Sequence, residues 1–159
     1  MTKILFSSEI DVNNNWLFYI ENEAKSLAQR DDFAIINYFD REIFNPEMEE
    51  YLSSNDLPHG LDEFEDGEVL SLNLIEGMKL NLIPEWLKTR FRKLKAMLKK
   101  IFCQVVHGIG EFDTKAIISA VLIAIIPAFA TGLPAAVLPI VIGLVAYLLK
   151  FGIEKTCPV

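Results

Sequence analysis

Cys103 and His107 stand four residues apart, the spacing at which two ligands share one face of a helix, and together they would supply half of a metal site. No second pair at ligand spacing accompanies them, and His59 is the only other histidine. The pair therefore reads as a coincidence on a polar face, and no metal is expected. Asp62, Glu63, Glu65, Asp66 and Glu68 crowd oxygen ligands into one stretch. They lack the glycine at the sixth position that an EF-hand needs for its turn, so they read as a solvated loop. Asp40, Glu42, Glu47 and Glu49 offer paired carboxylates, but acids placed at a helix start explain them more simply. There is no phosphate-binding P-loop and no G-x-S-x-G nucleophile elbow. The chain is accordingly read as not an enzyme, with no catalytic, cofactor-binding or metal residues. Cys103 and Cys157 show no pairing pattern, and no disulfide framework is expected from them.

The chemistry that the sequence does support is that of a surface between water and lipid. The charge is divided into blocks. Over residues 1–80 there are eighteen Asp and Glu against Lys3, Lys25, Arg30, Arg41 and Lys79. Residues 81–115 reverse this, with eight bases against Glu85, Glu111 and Asp113. After that only Lys150, Glu154 and Lys155 are charged. An acidic, a basic and an apolar block in succession imply three physical jobs.

From Pro84 a helical period takes over. Trp86, Leu87, Phe91, Leu94, Met97, Leu98, Ile101, Phe102 and Val105 fall on one side of the wheel. Lys88, Arg92, Lys95 and Lys99 fall on the other, with Lys93 and Lys100 beside them and Arg90 near the apolar edge. Such a helix lies in an anionic membrane surface, its apolar face buried and its lysines on lipid phosphates. Trp86, Lys88, Phe91, Arg92, Lys95, Lys99 and Lys100 are the candidate membrane-surface residues. Two other readings remain: the helix packs on the acidic block with its lysines solvated, or it enters a calmodulin-like groove. Nucleic acid is not expected, because the aromatic rings are on the wrong face to stack bases between lysines.

Residues 116–149 contain no charge. A spanning helix needs about 20 apolar residues, so the tract is long for one span and short for two. Thr131, Gly132 and Pro134 break it near the middle, predicting helices over 116–130 and 133–149. Gly143 and the alanines permit close helix contact. Lys115 on one side and Lys150 and Lys155 on the other place both ends in the cytoplasm by the positive-inside rule. A protein that buries the hairpin inside a soluble oligomer, or that packs it reversibly, is the alternative.

The acidic block has to present or restrain these elements. Its pattern predicts a strand at 3–7, a helix over 16–30, a buried strand at 33–39, and a short helix from Asn45-Pro46-Glu47 to residue 53. Residues 53–67 predict an exposed loop, and 69–74 with 78–83 predict a β-hairpin. The expected architecture is thus a small N-terminal α+β domain (1–83), a basic amphipathic helix (84–112), an apolar α-helical hairpin (113–153) and a short tail (154–159). The expected location is the cell membrane with both termini cytoplasmic. The expected function is a membrane-perturbing or pore-forming effector acting on anionic lipid. Its expected partners are further copies of itself and an unidentified protein that engages the N-terminal domain. A membrane-anchored adaptor and a soluble oligomeric interaction protein are the alternatives.

Overall fold

The computed structural model describes residues 14–61, 83–109, 113–129 and 132–158. These form an all-α fold with no strand among the described residues, which overturns the expected N-terminal α+β domain. The expected strand at 3–7 and hairpin at 69–83 lie outside the described residues, apart from Ile83.

α1 (Asn14–Ala28) buries Ile20, Ala24 and Leu27 along one stripe, as its three- and four-residue spacing predicts. A Glu21–Lys25 pair at 3.3 Å supports its outer face. The next apolar run, expected as a strand, is α2 (Asp32–Asn37) continued by a π-helical turn over Tyr38–Glu42. A short apolar run has the same hydropathy in either conformation, so the ends decide. Asp31 accepts a hydrogen bond from the Ala34 N–H at 2.8 Å, capping a helix rather than ending one. Burial then falls on Ile35, Phe39 and Ile43, four apart, while Phe33 is 66 % exposed. A strand would have required Phe33, Ile35 and Asn37 to share a face.

α3 (Pro46–Leu52) starts as expected. The Asn45 side chain accepts from the Met48 N–H at 2.9 Å, and Pro46 occupies the first turn. The following loop is less exposed than predicted: Leu61 is buried, and the His59 N–H donates to the Ala128 carbonyl at 3.1 Å.

α4 (Glu85–Ile109) is the basic helix, running 25 residues. Leu87, Phe91, Leu94, Leu98, Phe102 and Val106 form its inner stripe. α5 (Thr114–Ile125) is capped by Asp113, whose carboxylate accepts from the Lys115 N–H. A single 3₁₀ turn, Ile126–Ala128, follows it, with Pro127 in the turn. A second, Ala135–Val137, leads into α6 (Leu138–Phe151), and α7 (Ile153–Thr156) is a final turn.

α6 occupies the centre. Leu138 and every residue from 140 to 148 are buried. α1 makes its most extensive contact, and α4, α5 and the α2 segment cover the remaining sides. Side chains from all these helices and from α3 share one hydrophobic core.

The expected residence in the cell membrane with both termini cytoplasmic is overturned as well. No helix among the described residues is long and apolar enough to cross a membrane. α5 has 12 residues and α6 has 14. At about 1.5 Å per residue they reach roughly 18 and 21 Å, against a hydrocarbon core of about 30 Å. Hydropathy treats the uncharged tract as continuous helix on either side of the break. Pro127 and Pro134 instead help convert its middle into 3₁₀ turns, because proline removes a helix donor and crowds the preceding turn.

Gly143 is where α2's continuation meets α6. A Cβ there would stand 2.6 Å from Cδ2 of Phe39 and 3.5 Å from Cε1 of Tyr38. Helix propensity favours Gly143→Ala by about 1 kcal/mol, but forcing apart a packed ring costs about 1–3 kcal/mol. The variant is expected to lose up to about 2 kcal/mol, a fall of up to roughly 8 °C in thermal midpoint by circular dichroism. Combined with Phe39→Leu, the loss should be smaller than the sum of the two single losses, since the smaller side chain relieves the overlap.

Candidate functional site

Two elements carry the candidate residues: the basic face of α4 and the apolar pair α5–α6. At the start of α4 the charges are organised by Glu85. Lys88 Nζ lies 3.0 Å from its Oε2 and Arg92 Nη1 3.8 Å from its Oε1. The Lys88 hydrogen bond and charge, with Arg92 behind them, hold the Glu85 carboxyl below its ordinary range. Trp86 is 52 % exposed, with the Arg90 guanidinium 5.0 Å over its ring.

Further along, the expected surface row divides. Phe91 is buried against Phe44, ring centroids 4.8 Å apart. Lys95, placed on the lysine face by the wheel, is only 6 % exposed. Its ammonium sits 4.2 Å from the Phe91 ring centroid and 5.4 Å from that of Phe39. The electron-rich ring faces replace part of its hydration, and its stem lies along apolar surface. Lys99 is half-buried, and desolvation lowers its pKa. Lys100 is exposed. Arg92, Lys93, Lys95, Lys99 and Lys100 all have interaction partners, so this face is not a row of bare cations.

In the hairpin, Thr131 lies outside the described residues. Gly132 is buried with φ +94°, Pro134 is buried, and Gly143 faces Phe39. The structure thus gathers Lys88 and Arg92 around Glu85, leaves Trp86 exposed beneath Arg90, sends Phe91 and Lys95 inward, and places Gly132, Pro134 and Gly143 inside the fold.

Three connections were not legible in the sequence. The first is a disulfide between Cys103 on α4 and Cys157 after α7, with Cα atoms 5.3 Å apart and a sequence separation of 54. Cys103 is therefore not half of a metal site, and no group of three metal-ligating side chains occurs among the described residues. The closed loop contains all of α5 and α6. Closing a loop of that length contributes about 4 kcal/mol in the chain-entropy account. Gly152 makes the return possible: at φ +85° and ψ 173° it occupies a region essentially reserved for glycine, and it turns α7 back toward α4. α7 itself is weakly held. Ile153 is 39 % exposed, and the Thr156 hydroxyl is buried with no hydrogen-bond partner among the described residues. An unsatisfied buried hydroxyl costs about 1–3 kcal/mol.

The second is Lys150, whose Nζ donates to the Arg30 carbonyl at 2.9 Å and lies 3.8 Å from the Asp32 carboxylate. It ties the end of α6 to the α1–α2 junction. The third is Arg90, the one cation near the apolar edge of α4. Its Nη1 donates to the Leu52 carbonyl at 2.8 Å, meeting the C-terminal end of α3. Its misfit on the wheel was the only sequence signal for any of the three.

A groove of about 610 Å³ lies between the starts of α1 and α6, lined by Trp16, Tyr19, Leu138, Pro139 and Ile142. Its wall is almost wholly apolar, with the side chains of Asn15 and Tyr19 as the polar groups at its edge. The chain matches no family model, no curated protein and no solved structure.

Arg90→Ala removes a charged donor from a half-buried carbonyl and a cation from the Trp86 face. A loss of about 1.5–3 kcal/mol is expected. Hydrogen exchange should rise first in the last turn of α3, where the carbonyl loses its partner, and least in α6.

Proposed function

We propose that this chain is a membrane-perturbing effector that carries its bilayer-active segment packed inside its own fold. The observation that supports this best is α6: a helix without charge from Leu138 to Leu149 and apolar on every side there, sheathed by α1, α4, α5 and the α2 segment. A helix apolar all round belongs either in the centre of a protein or in lipid. Here it is joined to α5, so that residues 116–149 form one charge-free unit with a tight break at its middle. Released from its coat, that unit would lower its free energy by entering a bilayer as a re-entrant or bilayer-thinning hairpin. The basic face of α4 and the exposed Trp86 would meet anionic headgroups first. Assembly of several copies would let the small residues of the hairpin pack together.

A second reading draws on α5. Ala116, Ala124 and Pro127 are exposed and uncharged, so the coat leaves one apolar strip at the surface. That favours a self-associating interaction protein in which a second copy covers α5 and no lipid is involved.

The exposed Ala124 separates packing from insertion. Ala124→Lys should leave the folded chain within about 0.5 kcal/mol of the native stability, because the position faces solvent. In a bilayer the same lysine opposes insertion by about 2.5–3.5 kcal/mol. The full chain, its disulfide reduced, loosened in mild urea and diluted onto dye-filled vesicles of phosphatidylcholine and phosphatidylglycerol, should cause leakage. Ala124→Lys should cause much less. Leakage that is equal in the two proteins, or absent from the native one, would defeat the effector reading. A concentration-dependent dimer lost in Ala124→Lys, without leakage from either, would establish the second.

A further inference from the structure

We propose that the Cys103–Cys157 disulfide is a redox latch on the hairpin, opened by a dithiol reductant. This rests on the reading that the α5–α6 hairpin is stored and released, and it assigns that release a trigger.

The position of the bond carries the inference. The covalent loop it closes begins on α4, passes through α5, the break and α6, and returns to α4. While it is intact, both ends of the apolar unit are pinned to the same part of the basic helix. The hairpin then cannot swing away from α4 as an extended arm. The bond also does what the local contacts do poorly. α7 is four residues long, its Ile153, Glu154 and Lys155 are exposed, and the Thr156 hydroxyl is buried without a partner among the described residues. With the bond cut, the tail gains hydration for that hydroxyl and loses little apolar contact.

The two sulfurs differ in access. Cys157 is 1 % exposed, whereas Cys103 is partly exposed on α4. A thiolate of the reductant attacks Sγ of Cys103, the Cys103–Cys157 bond breaks, and Cys157 leaves as a thiolate that takes up a proton. The second thiol of the reductant then attacks its own sulfur in the mixed disulfide. Cys103 is released as a thiol and the reductant becomes a cyclic disulfide. Two electrons pass from the dithiol to the protein, and no other reactant is needed. Lys99 and Lys100 are one helical turn from Cys103, where positive charge favours its departure as a thiolate before it takes up a proton.

The test uses the full oxidised chain, dithiothreitol as the dithiol, and vesicles of phosphatidylcholine and phosphatidylglycerol. Mass spectrometry follows the thiols, hydrogen exchange follows the α6 amides, and dye release follows the bilayer. Reduction should speed α6 exchange on the order of a thousandfold and begin leakage. Reoxidation with oxidised glutathione should restore protection, an arm that needs no substitution. Cys157→Ser should be open and active without reductant and indifferent to it. Free thiols on both cysteines with unchanged α6 exchange would overturn the latch. So would leakage that urea induces and complete reduction does not, although the stored-hairpin reading would then stand. Opening of α6 without any leakage would support the latch and sink that reading instead.

Discussion

α6 is apolar around its whole circumference, so every side of it has to be covered, and the other helices are arranged by that demand. An amphipathic helix needs one neighbour, and an all-apolar helix needs a ring of them. α1 supplies the longest contact, α4 and α5 two further sides, and the turn after α2 the last. The close approach at Gly143 follows from the same demand: with no side chain in the way, the Phe39 ring settles directly on the helix backbone. Covering a helix this completely is unusual for a chain of this size, where surface is large relative to volume. Part of the cover has to come from residues that would elsewhere face water. The buried Lys95, flanked by two rings, is the clearest instance.

The connections that hold the coat are polar or covalent, and they sit at the ends of helices. Lys150 fastens the end of α6 to the α1–α2 junction, Arg90 meets the end of α3, and the disulfide returns the tail to α4. Apolar contact is non-directional and would tolerate a helix sliding or rotating. A hydrogen bond to one carbonyl, or a bond between two sulfurs, does not. The division of labour makes the packed state specific while leaving most of its stabilisation in hydrophobic contact. It also concentrates the means of opening at a few points, of which the disulfide alone responds to chemistry rather than to a change of solvent.

α4 belongs to both halves of the proposed function. Its inner stripe is part of the core, while Lys88 and Arg92 meet Glu85 and Trp86 stands exposed at the other surface. A helix of this kind is equally at home against protein and against lipid, because both offer an apolar face beside a polar one.

What could be read from the sequence was what neighbours along the chain decide. The stripe of α1, the Asn45–Pro46 start of α3 and the long period of α4 from Pro84 depend on spacing and capping within a turn or two. The charge-free tract and its break were equally plain. Residues 32–42 were not, because their apolar run suits a strand or a helix alike, and only the Asp31 cap and the partners of Ile35 and Phe39 choose between them. Nor did spacing point to Cys157 as the partner of Cys103, since residues 54 apart meet only when everything between them has folded. The largest difference concerns the hairpin itself. Hydropathy records that a segment leaves water; it carries no information on what replaces the water, and here the tertiary structure replaces it with the rest of the same chain.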